Sequence, residues 1–174
     1  KYLTNFDNKI VIKKPQILFE YTNDIINFQL DGKYLLKDKE DSIFIKYKGS
    51  KNNFKLVSLL DLDDSDIKID EIQYLKKKNI PSNLKIILNK STNYLNLEKF
   101  VYKENKNYIL VNNLDISDEF KIHSVDKIDL NFFNSNGVKN NLKIEKNLNE
   151  YQLIGNQIDG EKIIEKLLTS NNEN

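Results

Sequence analysis

The chain of 174 residues contains no Cys, Met, Trp, Arg or Ala, and it has one His, two Pro and five Gly. Without Cys it forms no disulfide and no thiolate metal site. Its single histidine, His123, cannot build a zinc or iron site that needs two imidazoles, and we expect it to have a structural or surface role. We therefore predict that the protein is not an enzyme and has no catalytic, metal-binding or cofactor-binding residue.

The absence of Arg bears on nucleic-acid binding. Arg is the residue best suited to bidentate contacts with phosphate and guanine, and the charges of this chain nearly cancel, with 27 Lys against 26 acidic residues. The glycines are not spaced as a P-loop or a dinucleotide-binding motif requires. We expect no dedicated nucleic-acid site and no nucleotide cofactor.

Long apolar runs are also missing. The chain has no run of 18 apolar residues, the length that could cross a bilayer. Its first residue is Lys1 instead of Met. We expect a processed chain that meets a membrane only through a segment upstream of Lys1, either a membrane helix or a signal peptide. Apolar residues make up 39% of the chain and are spread along it, which predicts one domain over residues 1–168 and a polar flexible tail at 169–174.

The first predicted element is an amphipathic helix over Pro15–Leu30. Pro suits the first turn of a helix, where its missing N–H leaves no bond unmade, and Asp31-Gly32 supplies a stop signal. Apolar residues follow the proline at close to 3.6-residue spacing: Ile17, Leu18, Tyr21, Ile25 and Phe28. The sequence thus predicts a helix with one apolar face.

Strand patterns dominate the rest of the chain. Alternation over Ile43–Val57 around a Gly/Asn turn predicts a hairpin, while residues 61–78 fit a strand or a short helix, and the helix is preferred for its charge polarity. Asn112-Asn113 and Asn136-Gly137 are predicted turns. Further strands are predicted at Leu84–Leu88, Phe100–Tyr102, Tyr108–Val111, Ile128–Phe133, Leu142–Ile144 and Tyr151–Ile154, before a short final helix at Ile163–Leu168.

The densest acidic stretch runs from Asp61 to Glu71, and its oxygen ligands raise the question of a calcium site. An EF-hand loop that starts at Asp61 would need Gly at its sixth position and Glu at its twelfth. The chain has Asp66 and Ile72 there. We favour a solvated acidic loop or helix cap over calcium binding.

Lysines alternate with aromatic residues over residues 45–48 and 100–103. Such a pattern is typical of a half-buried strand with a solvated lysine face, and it also occurs on surfaces that stack sugars or bases. The strand interpretation is preferred. Lys76-Lys77-Lys78 is interpreted as a solvated helix end.

Several segments, taken in order, resemble the minor pilins and pseudopilins of type IV pilin-like systems, including competence pseudopilins. Leu18–Gln29 resembles the part of the pilin helix that follows the membrane segment, and Ile43–Val57 resembles the hairpin after it. Ile80–Ile86 is similar to a strand-entry motif of these subunits, although Asn83 replaces its usual Gly. Ile128–Gly137 is similar to their later strand and turn, and Gln152–Gly160 to the closing strand.

The resemblance implies an α+β fold in which the N-terminal amphipathic helix packs on an antiparallel β-sheet. It implies a structural minor subunit of an extracellular type IV pilus or pseudopilus-like filament, which acts by assembly with other pilin subunits and membrane assembly machinery. The expected location is the cell surface or the extracellular space, with a membrane-anchored precursor.

A second hypothesis comes from a different class of proteins. The chain could be a secreted or surface-anchored binding module whose sheet recognises a carbohydrate or protein ligand. Its candidate contacts are Tyr47, Tyr94 and Tyr102, and exposed aromatic side chains would distinguish it from a filament subunit.

Overall fold

The computed structural model describes residues 11–36, 39–92, 94–117, 121–148 and 150–161. These residues form twelve β-strands and one short 3₁₀ helix, Asp70–Ile72. No helix in this part of the chain is long and apolar enough to cross a membrane. The strands are β1 Val11–Thr22, β2 Ile25–Leu36, β3 Lys39–Ser50, β4 Asn53–Asp61, β5 Ile67–Ile69, β6 Tyr74–Lys76, β7 Ser82–Lys90, β8 Tyr94–Glu104, β9 Asn107–Ser117, β10 Ile122–Phe133, β11 Lys139–Asn147 and β12 Glu150–Gln157.

Ten strands form one antiparallel sheet whose order is β1-β2-β3-β4-β7-β8-β9-β10-β11-β12. Each strand pairs with its neighbour along the chain, as in a meander. The exception is the stretch at residues 62–81, which leaves the sheet after β4 and returns at β7. We call it the cover segment; it contains the small β5-β6 hairpin and the 3₁₀ helix.

The predicted N-terminal helix is wrong, because Pro15–Leu30 belongs to the β1-β2 hairpin. Ile17 pairs with Leu30 and Phe19 with Phe28 across this hairpin. Its turn is Asn23-Asp24, and both residues have positive φ, 51° and 63°, as a tight hairpin turn requires. Pro15 lies in β1 where the register shifts between Lys13 and Gln16, so its missing N–H falls at an irregularity that tolerates it.

The α+β fold, with a helix packed on an antiparallel sheet, is therefore overturned. The described chain is a nearly all-β antiparallel sheet. The short helix predicted within residues 61–78 is also wrong, apart from one 3₁₀ turn, because two three-residue strands flank that turn. The final helix at Ile163–Leu168 and the tail at 169–174 lie outside the described residues.

The other strand predictions are confirmed. Ile43–Val57 lies in the β3-β4 hairpin, with Ser50 opposite Asn53, and every later predicted strand lies inside an observed one. Asn136-Gly137 forms the predicted turn between β10 and β11. Asn112-Asn113 does not form a turn, since both residues lie inside β9, where Asn113 has a φ of 49°.

The register gives the sheet two faces of opposite character, because residues directly opposite each other share a face and successive residues alternate. One cross-strand row spans all ten strands as Ile17, Leu30, Ile45, Ser58, Ile86, Phe100, Val111, Ile128, Ile144 and Leu153. The adjacent row on the other face is Leu18, Gln29, Lys46, Val57, Ile87, Lys99, Asn112, Lys127, Glu145 and Gln152. The first side is the apolar face; the second is the polar face.

The buried core lies where the cover segment packs on the apolar face. Its members come from the segment and from strands β8 to β10: Leu62, Ile67, Tyr74, Tyr102, Ile109 and Phe132. A smaller cluster on β2 and β3 contains Leu30, Tyr34 and Ile43. The apolar side chains of β1 and β12 remain exposed. The described residues therefore cover only part of the apolar face.

Candidate functional site: an apolar cavity beneath the cover segment

The cover segment lies across five strands of the sheet and is held at its start and at its tip. At its start, the Leu62 N–H donates to the Ser82 carbonyl at 2.9 Å. At its tip, the Gln73 carbonyl accepts from the Ser135 N–H at 2.8 Å and the Gln73 side chain accepts from Asn136 at 2.7 Å. The segment therefore reaches from the end of β4 to the turn between β10 and β11.

A cavity of about 450 Å³ lies between the cover segment and the sheet. Leu62, Ile67 and Ile69 line it from the segment. The sheet contributes Leu60, Leu84, Phe100, Tyr102 and Ile109. Protein interiors are close-packed, and an apolar cavity of about 150 Å³ already admits a benzene-sized ligand, so this space is large enough for a small organic molecule.

The lining determines what could occupy the cavity. Tyr102 is the one lining residue with a side-chain polar atom, and its hydroxyl lies 2.9 Å from the Tyr74 hydroxyl, with which it forms a hydrogen bond. A ligand group inside the cavity therefore contacts mainly hydrocarbon. Burying polar atoms there without partners would cost free energy, so the cavity suits an aliphatic or aromatic hydrocarbon group.

Lys76 fixes the base of the cover segment. Its side chain is fully buried, and the ammonium donates to the carbonyls of Leu62, Asp63 and Ser65 at 2.6, 3.0 and 2.8 Å. All three ammonium protons thus have acceptors. Burial lowers the pKa of Lys76, although the nearby carboxylates, first Glu104, oppose that effect.

A tyrosine pair lies beside the cavity. Tyr74 packs edge-on against Tyr102 and Phe132, with ring centroids 5.7 and 5.4 Å apart, and its hydroxyl donates to the buried Glu104 carboxylate. Burial, followed by the hydrogen bond to Glu104, raises the pKa of Tyr74, and burial also raises that of Tyr102. Both phenols therefore stay protonated and serve as hydrogen-bond donors at neutral pH.

A buried carboxylate lies at the start of the cover segment. Asp41 on β3 accepts from the Tyr34 hydroxyl at 3.4 Å and from the Asp64 N–H at 3.2 Å. Burial raises the pKa of Asp41, and the neighbouring carboxylates of Asp63 and Asp64 add to this. The Tyr34 hydroxyl has one proton, and it is shared between Asp41 and the Asp61 carbonyl. This contact joins β2 to the point where the chain leaves the sheet.

The raised pKa of Asp41 predicts a pH-dependent effect of Asp41→Asn. The folded-state pKa exceeds the ordinary value for an Asp side chain, 3.8, so the folded form holds the proton more tightly, and this contribution to stability is lost as pH rises through the folded-state pKa. Urea denaturation at several pH values should show Asp41→Asn gaining stability relative to the parent protein as the pH rises above the ordinary pKa of an Asp side chain, 3.8. Asp31→Asn, a change of an exposed carboxylate, is the matched control.

The acidic stretch predicted at residues 61–71 does not converge into a metal site. Asp63 accepts the Ser82 N–H and Asp66 accepts the Lys78 N–H, both at 2.8 Å. Within the described residues no group of three or more His, Asp or Glu side chains is placed to hold a metal ion. These two carboxylates therefore accept backbone N–H groups at the end of the cover segment and at the start of β7.

The structure separates the three tyrosines predicted as ligand contacts. Tyr102 is buried in the cavity wall, whereas Tyr47 is half-buried against Phe54 at 5.2 Å. Tyr94 is exposed, and its ring lies 5.8 Å from that of His123. They do not form one aromatic surface.

The preferred strand interpretation of the lysine-aromatic patterns is confirmed. Lys46, Lys48 and Lys103 are exposed, while Ile45, Tyr47, Phe100 and Tyr102 lie on the apolar face. Lys76 departs from its predicted role, because it is buried in β6, while its neighbours Lys77 and Lys78 are exposed as expected.

The sequence predicted the strands that contain Leu84, Phe100 and Tyr102, but it did not predict the cavity. The alternation in β7 and β8 shows that Leu84, Phe100 and Tyr102 face inward. It does not show that residues 62–81 cross over them and leave a space. Searches against protein-family models, curated proteins and solved structures found no match for this chain.

Proposed function

We propose that this protein binds the hydrocarbon chain of a lipid-like molecule, such as a fatty acid. The observation that carries the proposal is the cavity of about 450 Å³ with its hydrocarbon lining. Ligand pockets for small molecules are typically about 300–1,000 Å³ and mostly apolar. The ligand class differs from the carbohydrate or protein that we predicted for a binding module.

The apolar face supports an elongated ligand. The row that contains Phe100 runs next to the cavity and continues through Ile86 on one side and Val111 and Ile128 on the other. These side chains are half-buried and are not part of the buried core cluster. A chain that leaves the cavity would thus lie on further hydrocarbon, and burial of that surface favours binding by roughly 25 cal/mol per Å².

A binding assay with a dansyl-labelled fatty acid tests the proposal. We expect fluorescence enhancement on binding and displacement by unlabelled palmitate. Leu84→Trp places a larger side chain in the cavity and should weaken binding by about tenfold or more, because overpacking excludes the ligand. Circular dichroism must show that the variant retains its strand content.

Lys85→Trp is the matched control, since Lys85 is the next residue of β7 and points to the polar face. This variant should bind like the parent protein. Equal affinity of Leu84→Trp and Lys85→Trp would place the ligand elsewhere, and no binding by the parent protein at micromolar concentrations would overturn the proposal.

The filament-subunit function stays a prediction, as do the resemblance to pilins and the extracellular location. Its structural motivation was the helix at Pro15–Leu30, where the chain has a hairpin instead. The cavity favours ligand binding, and we therefore prefer that function.

A further inference from the structure

We propose that copies of this chain join head to tail, with β12 of one copy pairing antiparallel to β1 of the next. Within the described residues these two strands are the edges of the sheet, and neither has a partner on its outer side. An unpaired edge presents backbone N–H and C=O groups to any strand of suitable direction. This inference does not depend on the proposed ligand.

Both edges lack the features that usually block edge pairing. Lysines, prolines and bulges protect natural edge strands, and each edge has them only at one end. In β1 they lie at its start, where Lys14 has a φ of 47° and Pro15 follows, and in β12 the register to β11 shifts at Asn156, near its end. Residues 16–22 and 150–157 contain neither Lys nor Pro, in a chain with 27 lysines. Their large apolar side chains are exposed, with 63% exposure for Phe19 and 69% for Leu153.

The topology makes the two edges compatible. The sheet is a run of ten antiparallel strands, so β1 and β12 point in opposite directions. Placing β12 of one copy beside β1 of the next therefore continues the antiparallel alternation. The apolar face also continues across the junction, because Ile17 ends its cross-strand row at one edge and Leu153 ends it at the other.

One register matches the side chains of both edges. It pairs Thr22 with Glu150, Tyr21 with Tyr151, Glu20 with Gln152, Phe19 with Leu153, Leu18 with Ile154 and Ile17 with Gly155, and it stops before the irregularities at Gln16 and Asn156. Large apolar side chains then meet on both faces, and such cross-strand pairs stabilise sheets. A slip by two residues would place Glu20 opposite Glu150, which is unfavourable.

This contact is heterologous, because it joins different surfaces of the two copies. Such contacts generate open chains of subunits unless rotation closes a ring. The sedimentation coefficient of the protein should increase with concentration. Phe19→Lys should return it to that of the monomer, since a charged side chain on the edge opposes pairing.

Cysteine cross-linking tests the register, because the parent chain has no Cys. Leu18→Cys protein mixed with Ile154→Cys protein should give, on oxidation, several times more mixed dimer than a mixture of Leu18→Cys with Leu153→Cys. Leu18 and Ile154 would be directly opposite on the polar face, within disulfide reach, whereas Leu153 points to the other face.

Three results would overturn the proposal. Equal yields from the two mixtures would show that the register is wrong. Predominant Leu18→Cys homodimers would show that β1 pairs with itself. Sedimentation as a monomer at all concentrations, without mixed dimer, would show that the edges do not pair. The fatty-acid assay is independent of each of these results.

Discussion

Lys76→Met should lower the free energy of unfolding by about 2–4 kcal/mol, because it removes the donor shared by three buried carbonyls. Lys76 has no exposed surface, and its ammonium contacts Leu62, Asp63 and Ser65 at 2.6 to 3.0 Å. Met has a similar unbranched shape, so the change removes mainly the charge and its hydrogen bonds. Urea denaturation followed by circular dichroism measures the loss.

The size of the effect has two opposing parts. Each carbonyl left without a partner costs about 1–3 kcal/mol unless water reaches it, while Met avoids the desolvation of a buried ammonium. The first part should dominate, because the three carbonyls belong to one tight loop and cannot all turn toward solvent without moving it. The start of the cover segment should therefore loosen first.

Lys77→Met is the matched control, because Lys77 is the adjacent residue and is exposed. Its effect should lie within about 0.5 kcal/mol, as for ordinary surface substitutions. If Lys76→Met and Lys77→Met were equally stable, the three hydrogen bonds of Lys76 would contribute nothing measurable. The start of the cover segment would then be held in place by its apolar contacts instead.

The burial of Lys76 has no signal in the sequence. Lys76 follows two apolar residues of the cover segment and precedes two solvated lysines. This is the pattern of an exposed basic cluster. Its environment is created by carbonyls eleven to fourteen residues earlier in the chain. Only the three-dimensional path of residues 62–65 places these acceptors around one point.

The N-terminal hairpin shows a different reason for a wrong prediction. Ile17, Tyr21, Ile25 and Phe28 fit helical spacing, but Ile17, Phe19 and Tyr21 also fit the two-residue period of a strand. The Asn23-Asp24 pair, which favours positive φ, could have decided between the two patterns. Pro15 suits the start of a helix, although an edge strand tolerates it equally well.

Where alternation and a turn agreed, the sequence was sufficient. The β3-β4 hairpin has both signals, and its register places Tyr47 opposite Leu56 on the apolar face. The cavity was beyond such reasoning, because it depends on how one inserted segment packs over several strands. Periodicity identifies which residues face inward and contains no information about the space left between layers.

Phe132→Ala should destabilise the protein by about 3–5 kcal/mol, the range for truncating a buried aromatic side chain. Phe132 lies on β10, is 2% exposed, and packs edge-on against Tyr74 with ring centroids 5.4 Å apart. Its loss removes one of the two sheet residues on which Tyr74 of the cover segment packs. The expected result is a lower urea midpoint and weaker binding of the labelled fatty acid.

Phe133→Ala provides the control within the same strand. Phe133 is 54% exposed and points to the polar face, so truncating it should cost less than about 1 kcal/mol. The difference in the free energy of unfolding between Phe132→Ala and Phe133→Ala measures how strongly the cover segment packs on the sheet. If both variants lost the same stability, the two faces of β10 would be equally packed. The conclusion that the cover segment buries only one face of the sheet, on which the cavity depends, would then be wrong.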